Sequence, residues 1–306
     1  MKNVWWMGLI FFTGTLFAET PFRVEEQEGG AIALYENDAP LWVYQYRQKV
    51  HDWVAPTDRR RVAGCYFHPL YGIHSEVLTN NASTWDNHQH HHGLWTSFFT
   101  FIVHEKDGSQ TAYDTWTDEG PVKKDFVSWG EKIASDDAYT FTVHNACFLY
   151  KDGKPVRKYL DETLKATTHK TQKDTNQGAT RTLDLEYTWT ACDNAVTLAG
   201  DRRNGKNFSS LAIRFVKPEK KTIITGPQGE IVGDPLRCET PWASYREDGS
   251  TRSCVTLYSD PANPTHPGGM AIRHYGMLVT GWPGTEGITL QPGQSVTLKY
   301  RVVVQN

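Results

Sequence analysis

The chain of 306 residues carries 32 Lys and Arg against 35 Asp and Glu, which gives a formal net charge of −3. It has no basic stripe, which argues against nucleic acid as a partner. Beyond the N-terminus no apolar stretch reaches the length of a stable membrane span, and the length fits one large domain or two smaller ones.

The N-terminus has the pattern of a secretory signal peptide. Lys2 is followed by an apolar run over residues 4–17 and then by Ala18, a small residue at the predicted cut. The run is too short to span a membrane comfortably, and no Cys follows the cut to carry a lipid anchor. We therefore predict a signal peptide at residues 1–18 and a bacterial protein exported to the periplasm or secreted.

Short segments rich in β-branched and aromatic residues follow one another through the mature chain. Several alternate with a period of two, which is typical of half-buried strands, and turn signals such as residues 151–154 separate them. The pattern predicts an all-β protein, a large antiparallel β-sandwich that forms a single domain over residues 19–306. The predicted strands include residues 31–35, 41–46, 94–103, 139–144, 182–189, 211–216 and 295–303.

The C-terminal segment, residues 287–303, is typical of a hairpin that closes a sandwich. Galactose-mutarotase-like supersandwich domains often end in this way, as do many unrelated β domains, so the supersandwich is a candidate subtype. The five cysteines are an odd number and form no Cys-x-x-Cys pattern, which argues against a disulfide framework. Cys238 and Cys254 could pair across a hairpin.

A histidine-rich segment at residues 88–92 stands out as a candidate site. In an extended chain, side chains spaced by two share one face, so His88, His90 and His92 would converge and His91 would point away. Three imidazoles with an open position suit Zn²⁺, and Ca²⁺ is a second candidate ion. Without a metal, the same histidines could act as general acid and base. The alternative interpretation is a solvated loop or a set of imidazoles bonded to the backbone.

Other residues can join this site. Arg273 could clamp a hydroxyl, carboxylate or sulfate group, and the residue before Pro69 is held extended, which could fix the ring of His68 toward the cluster. The predicted catalytic residues are His88, His90, His91, Arg273 and His274. The predicted substrate-binding residues are His68, Tyr71, Trp85, Trp95, Glu239, Trp242 and Tyr275. Candidate carboxylates for glycoside cleavage are Asp86, Asp201, Glu239 and Asp260.

Short motifs at residues 66–72, 87–95, 241–245, 263–267 and 273–276 occur in this order along the chain. In them the chain resembles the secreted bacterial proteins of the DUF6807 family, also labelled the "PmoA family". That second label borrows the name of a membrane monooxygenase subunit, a function that a chain without a spanning segment does not support. The resemblance implies carbohydrate chemistry but no particular reaction. Asn87, Gln89 and His92 depart from the family pattern, which has Asp, Pro and Arg at these places.

The sequence therefore predicts a carbohydrate-active enzyme that cleaves a glycoside or an oxidised sugar, by hydrolysis or elimination, through its histidines. Two alternatives stay open. One is a mutarotase or epimerase that needs only an acid–base pair, and the other is a non-catalytic carbohydrate-binding protein whose aromatic residues recognise the sugar.

Overall fold

A computed structural model describes residues 20–83, 85–175 and 178–306. The predicted signal peptide lies outside the described residues. Within them the regular structure is β-strand apart from one 3₁₀ turn, Arg59–Arg61, and no helix is long and apolar enough to cross a membrane.

The strands are numbered in chain order. They are β1 (Phe22–Gln27), β2 (Ala31–Glu36), β3 (Ala39–Gln45), β4 (Lys49–Val50), β5 (Val62–Ala63), β6 (Tyr66–Leu70), β7 (Leu94–Phe98), β8 (Thr100–His104), β9 (Gln110–Tyr113), β10 (Val122–Ala134), β11 (Ala138–Lys151), β12 (Lys154–His169), β13 (Gln172–Asp174), β14 (Gly178–Ala191), β15 (Ala195–Ala199), β16 (Ser209–Arg214), β17 (Thr222–Gly226), β18 (Gly229–Glu230), β19 (Trp242–Glu247), β20 (Cys254–Ser259), β21 (Ala271–Arg273), β22 (Met277–Val279), β23 (Ile288–Leu290) and β24 (Ser295–Gln305).

Two large sheets dominate the described part of the chain. The first has the order β1-β2-β3-β6-β7-β16-β22-β21, and the second has the order β10-β11-β12-β14-β24-β20-β19-β17-β18, with β13 beside β14. A small sheet, β23-β15-β8-β9, and the pair β4-β5 complete the set. All pairings between these strands are antiparallel. The predicted all-β antiparallel class is confirmed.

The two large sheets pack face to face through aromatic side chains. The ring of Trp42 in β3 lies 5.4 Å from that of Phe141 in β11, and Phe98 in β7 lies 5.5 Å from Trp189 in β14. Burial alternates residue by residue along β14, as a period of two requires for a strand with one face in the core. The sequence pattern therefore identified this layer correctly.

Two local expectations differ from the structure. The predicted strand at residues 94–103 is divided at Phe99, because β7 joins the first large sheet and β8 joins the small one. Cys238 and Cys254 are not bonded to each other, since all five cysteines are free thiols. The Sγ of Cys254 instead lies 2.9 Å from Ser244 Oγ on the neighbouring strand.

A charged pair is enclosed between the two large sheets. The side chain of Glu162 is 2% exposed, and its oxygens accept hydrogen bonds from Lys124 Nζ at 3.1 Å, Thr96 Oγ1 at 2.9 Å and Trp189 Nε1 at 2.9 Å. Asn145 Nδ2 adds a further bond at 3.0 Å. A buried carboxylate is stable only with such partners, because its desolvation is otherwise unfavourable by several kcal/mol.

Replacing Lys124 with Met should lower the free energy of unfolding by about 3 kcal/mol, because it leaves the Glu162 carboxylate without its counter-charge. Lys158→Met is the matched control, since Lys158 and Asp161 form an exposed pair 2.8 Å apart whose loss should change stability by under about 1 kcal/mol. Urea denaturation of both variants measures the difference. Equal stability of the two would contradict the assigned network.

Candidate functional site

The histidine segment forms a turn. The backbone N–H of His91 donates to the carbonyl of His88 at 3.1 Å, and Asn87 has a positive φ of 61°. A bond between residues three apart brings the first and last side chains together, and the rings of His88 and His91 stack 4.6 Å apart with 14° between their planes. The prediction of an extended segment, with His91 pointing away from His88, is therefore wrong.

Gly93 connects this turn to β7. It has a φ of 66°, and a Cβ there would lie 2.2 Å from the carbonyl oxygen of Phe67, so only glycine fits. The carbonyl of Gly93 accepts from the N–H of Arg214 at 2.7 Å, and the carbonyl of Arg214 accepts from the N–H of Asn80 at 2.9 Å. The end of β16 thus holds the histidine turn in place.

His92 points away from the other histidines of the predicted metal set. Its Nδ1 lies 2.9 Å from Asn81 Oδ1 and its Nε2 lies 2.9 Å from Asp118 Oδ2, so both ring nitrogens have partners. Among the described residues no group of three or more His, Cys, Asp or Glu side chains is arranged to hold a metal ion. The predicted set of His88, His90 and His92 is not assembled, and the residues do not fit a three-histidine centre.

His88 lies in the middle of a column of flat side chains. One face of its ring stacks on His91 and the other on Tyr275, whose centroid is 5.2 Å away at an interplanar angle of 20°. Beyond His91 the column continues to Trp95 at 5.4 Å. His90 packs edge-on against His91 at 4.4 Å. Such contacts stabilise the orientation of each ring, so the imidazole of His88 is fixed with both faces covered.

Arg214 extends the other end of the column. Its side chain is 0% exposed, and its guanidinium carbon lies 4.5 Å from the ring centroid of Tyr275 and 4.8 Å from that of Trp85. Nη2 pairs with Oδ2 of Asp86, whereas Nε and Nη1 are buried without a hydrogen-bond partner. Burial lowers the pKa of Arg214 to about 10, so the group stays charged at neutral pH.

Asp86 links Arg214 to His88. Its Oδ2 lies 3.2 Å from His88 Nδ1, at the distance of an ion pair but without the alignment of a hydrogen bond. The pKa of His88 is lowered by burial and by the nearby cations Arg60 and Arg273. The ring is therefore neutral at pH 7, and its nearest charged neighbour is a carboxylate at Nδ1.

The two cations that lower the pKa of His88 are themselves positioned by acceptors. Arg60 Nη2 lies 2.7 Å from Asp58 Oδ2. Arg273 Nη1 donates to the carbonyl of Asp234 at 2.6 Å. The His274 ring lies with its Nδ1 3.0 Å from Asp234 Oδ1. Arg273 and His274 immediately precede Tyr275 of the column in the chain.

Some of the remaining predicted site residues belong to the column, and the others lie elsewhere. Trp85, Trp95 and Tyr275 belong to the column. His68 is half-buried, with its Nδ1 3.0 Å from Thr79 Oγ1, and contacts no member of the column. Three others lie elsewhere: Tyr71 packs in a small cluster with Tyr35, Glu239 is exposed beside Arg237 at 3.8 Å, and Trp242 lies on β19 in the second large sheet. Trp242 is thus carried by a different sheet from the histidine turn, and the contacts of Tyr71 and Glu239 are with residues outside the column.

The sequence patterns did not indicate Arg214 as a site residue. One signal in the sequence was an arginine inside the apolar stretch 211–216. Arg214 is the last residue of β16, and each residue of that strand is buried. A charged residue inside a strand buried on both faces needs a partner. The sequence does not show which carboxylate supplies it.

Two exposed tryptophans border the histidine turn. Within the described residues they are the large aromatic side chains that count as exposed, Trp53 at 60% and Trp85 at 39%. Trp53 Nε1 donates to the carbonyl of Ala82 at 3.0 Å, which places it on the segment that leads to Trp85. Exposed aromatic rings next to polar groups are typical of a surface that binds a ligand.

The fold and the column define an antiparallel β protein with a histidine–arginine–aromatic site. The chain belongs to the family described as "Family of unknown function (DUF6807)", whose model matches residues 31–306. No curated protein matches the chain. Among solved structures it is similar to a galactose mutarotase related enzyme from Lactobacillus acidophilus, with 9% identity, a TM-score of 0.32, and coverage of 93% of this chain and 97% of that one.

The buried histidines should make the fold sensitive to acid. Burial lowers the pKa of His51 and His90 to about 3 and that of His68 to about 4, from an ordinary value of 6.5. Between these values the unfolded chain binds protons that the folded chain does not, so the free energy of unfolding falls as the pH drops. We expect the loss to reach about 2 kcal/mol for each such histidine at pH 5.

Thermal melting between pH 7.5 and pH 4.5 measures this loss. His68→Gln, which can keep a bond to Thr79, should make the decline shallower. A melting temperature that stays constant across the whole window would show that the histidines are protonated in the folded state.

Proposed function

We propose that the column is the active site of a carbohydrate-active enzyme and that His88 is its acid–base group. The observation that carries the proposal is the position of the His88 ring. Both faces are covered by His91 and Tyr275, Nδ1 is buried beside Asp86, and 31% of the side chain is accessible. The accessible part is therefore the edge that carries Nε2.

This arrangement suits His88 to accept a proton. A carboxylate at Nδ1 favours the tautomer with its proton on that nitrogen, which leaves the lone pair on Nε2. The same carboxylate stabilises the imidazolium that forms when Nε2 takes a proton. The lowered pKa of His88 keeps the ring unprotonated at neutral pH before the reaction begins.

The charges around His88 support proton abstraction next to a carbonyl group better than glycoside hydrolysis. Hydrolysis usually needs two free carboxylates across the bond, whereas Asp86 is paired with Arg214 and Asp58 with Arg60. A carbon acid instead needs a base and positive charge near the developing oxyanion, and Arg60 and Arg273 are cations close enough to His88 to lower its pKa.

The proposed substrate is an oxidised sugar in a glycoside, with a carbonyl or carboxyl group next to the carbon that loses the proton. His88 Nε2 removes that proton, and the electron pair forms an enolate. Collapse of the enolate expels the glycosidic oxygen from the neighbouring carbon, and the oxygen takes up the proton that His88 holds, which regenerates the base. The exposed rings of Trp53 and Trp85 support a sugar as the ligand, because aromatic faces pack against its C–H groups.

Epimerisation shares the first step of this reaction. Return of a proton to the opposite face of the enolate would give the epimer without cleavage. The signal-peptide pattern of residues 1–18 supports an exported protein, and the choice between periplasm and medium stays a prediction.

Replacing His88 with Ala should lower the rate by about 10²- to 10⁴-fold, the usual contribution of a general base. The substrates are glycosides oxidised to a ring ketone and oligosaccharides that contain uronic acid, with the unoxidised glycosides for comparison. Release of the leaving group and incorporation of deuterium from D₂O are both followed. His144→Ala, on β11 with a bond to Thr163, is the control and should keep full activity.

The outcomes of this experiment distinguish elimination from epimerisation and hydrolysis, and they test the role of His88. Deuterium exchange without cleavage would identify an epimerase. Cleavage of the unoxidised glycosides at the same rate, without exchange, would contradict the elimination. Loss of activity in both variants, or unfolding of His88→Ala in a thermal melt, would remove the evidence for His88.

The rate should also depend on pH in a specific way. A base with a lowered pKa stays unprotonated in mild acid, so activity is lost only as the pH falls through that lowered value. We therefore expect the acid limb of kcat/KM below pH 6.5. Asp86→Asn removes the charge that stabilises the imidazolium, and it should lower kcat at every pH. An acid limb above pH 6.5 would contradict a neutral, buried His88.

A further inference from the structure

The outward face of the second large sheet carries a groove that the histidine site does not use. Trp242 on β19 and Tyr258 on β20 line it together with residues of β12, β14 and β24. Tyr245 is three residues after Trp242 on the same strand, so its side chain points to the opposite face of the sheet. There it is buried and stacks on Phe215 at 3.9 Å. The groove and the histidine site therefore lie on different faces of the protein.

The strand register places the lining residues in rows. Thr167, Asp184, Arg301, Tyr258 and Trp242 are successive cross-strand partners on β12, β14, β24, β20 and β19. Cross-strand partners share one face of a sheet, so these side chains form a single line across five strands. The rings of Trp242 and Tyr258 lie 6.0 Å apart at the end of this line.

The charges in the groove are balanced. Arg301 donates to Asp184 from Nε at 2.6 Å and from Nη2 at 2.9 Å, and Lys299 Nζ lies 3.2 Å from Glu186 Oε2. The lining contains three cationic side chains, Lys165, Lys299 and Arg301. It also contains three carboxylates, Asp184, Glu186 and Asp260. A surface with equal numbers of both charges offers many hydrogen bonds and no net attraction for an ion.

One wall of the groove is a loop that is firmly attached to the sheet. Asn263 is buried and forms two bonds with the backbone of Lys299, each at 2.7 Å. This loop carries Pro261 and His266 into the lining, and Nδ1 of His266 is buried without a hydrogen-bond partner. The groove is thus formed in advance, which favours binding because little ordering is needed.

We propose that this groove binds a neutral, linear oligosaccharide. Planar ion pairs such as Arg301 and Asp184 can bond neighbouring hydroxyl groups of a sugar, and the threonine hydroxyls of β12 and β14 add further partners. Trp242 and Tyr258 provide flat faces for sugar rings. The balanced charge distinguishes this ligand from the carbonyl- or carboxyl-bearing sugar proposed for His88, and the groove serves to hold a glycan chain.

Titration calorimetry with cellohexaose, xylohexaose and maltohexaose tests the groove, with trigalacturonate as the acidic comparison. We expect at least one neutral hexasaccharide to bind. Trp242→Ala should weaken that binding by about tenfold or more, because it removes both an aromatic face and the apolar area that the sugar covers. Tyr35→Ala, an aromatic side chain outside the groove, should bind as the unmodified protein does.

Two further variants keep the test decisive. Arg301→Ala removes a side chain that is 54% exposed, so it tests the groove even if Trp242→Ala does not fold. His88→Ala should bind the hexasaccharide unchanged, which separates this proposal from the function proposed for the histidine site. The proposal is overturned if no neutral hexasaccharide binds, if trigalacturonate is preferred, or if both groove variants bind normally. It is also overturned if the protein forms a dimer that Trp242→Ala abolishes, because the face then serves a second copy.

Discussion

The enclosed charge of Arg214 is the constraint on which the histidine site depends. A guanidinium with no access to water is unfavourable unless a counter-charge and flat side chains replace its hydration. Asp86 supplies the charge, and Trp85 and Tyr275 supply the faces. Because Asp86 is held by Arg214, it also has a fixed position beside His88. The orientation of the proposed base therefore follows from a residue on another strand.

Two buried ionic groups in this protein differ in how well they are satisfied. The Glu162 carboxylate accepts hydrogen bonds from Lys124, Thr96, Asn145 and Trp189. These bonds connect the two large sheets, which indicates a structural role. Arg214 leaves two of its three nitrogens without partners. Native proteins rarely retain such unpaired groups unless they have a use, and this difference supports a functional role for the column.

The second large sheet separates two environments because its side chains alternate. Leu185 and Tyr300 face the sandwich interior, while their neighbours Asp184 and Arg301 face outward into the groove. The histidine column lies where the start of β7, the end of β16 and the turn before β22 meet in the first sheet. The two proposed ligand sites therefore share no residue.

The sequence by itself determined the all-β class, since the period-two alternation of segments such as residues 182–189 is a local property. It also indicated the histidine segment and Tyr275 as candidate site residues. Only the tertiary structure decided that residues 88–91 form a turn, which the N–H of His91 closes on the carbonyl of His88 and which Gly93 connects to β16. It likewise decided that Arg214 completes the site and that Trp242 lies in a different groove, since strand order and register join residues that are far apart in the chain, and neither is set by local pattern.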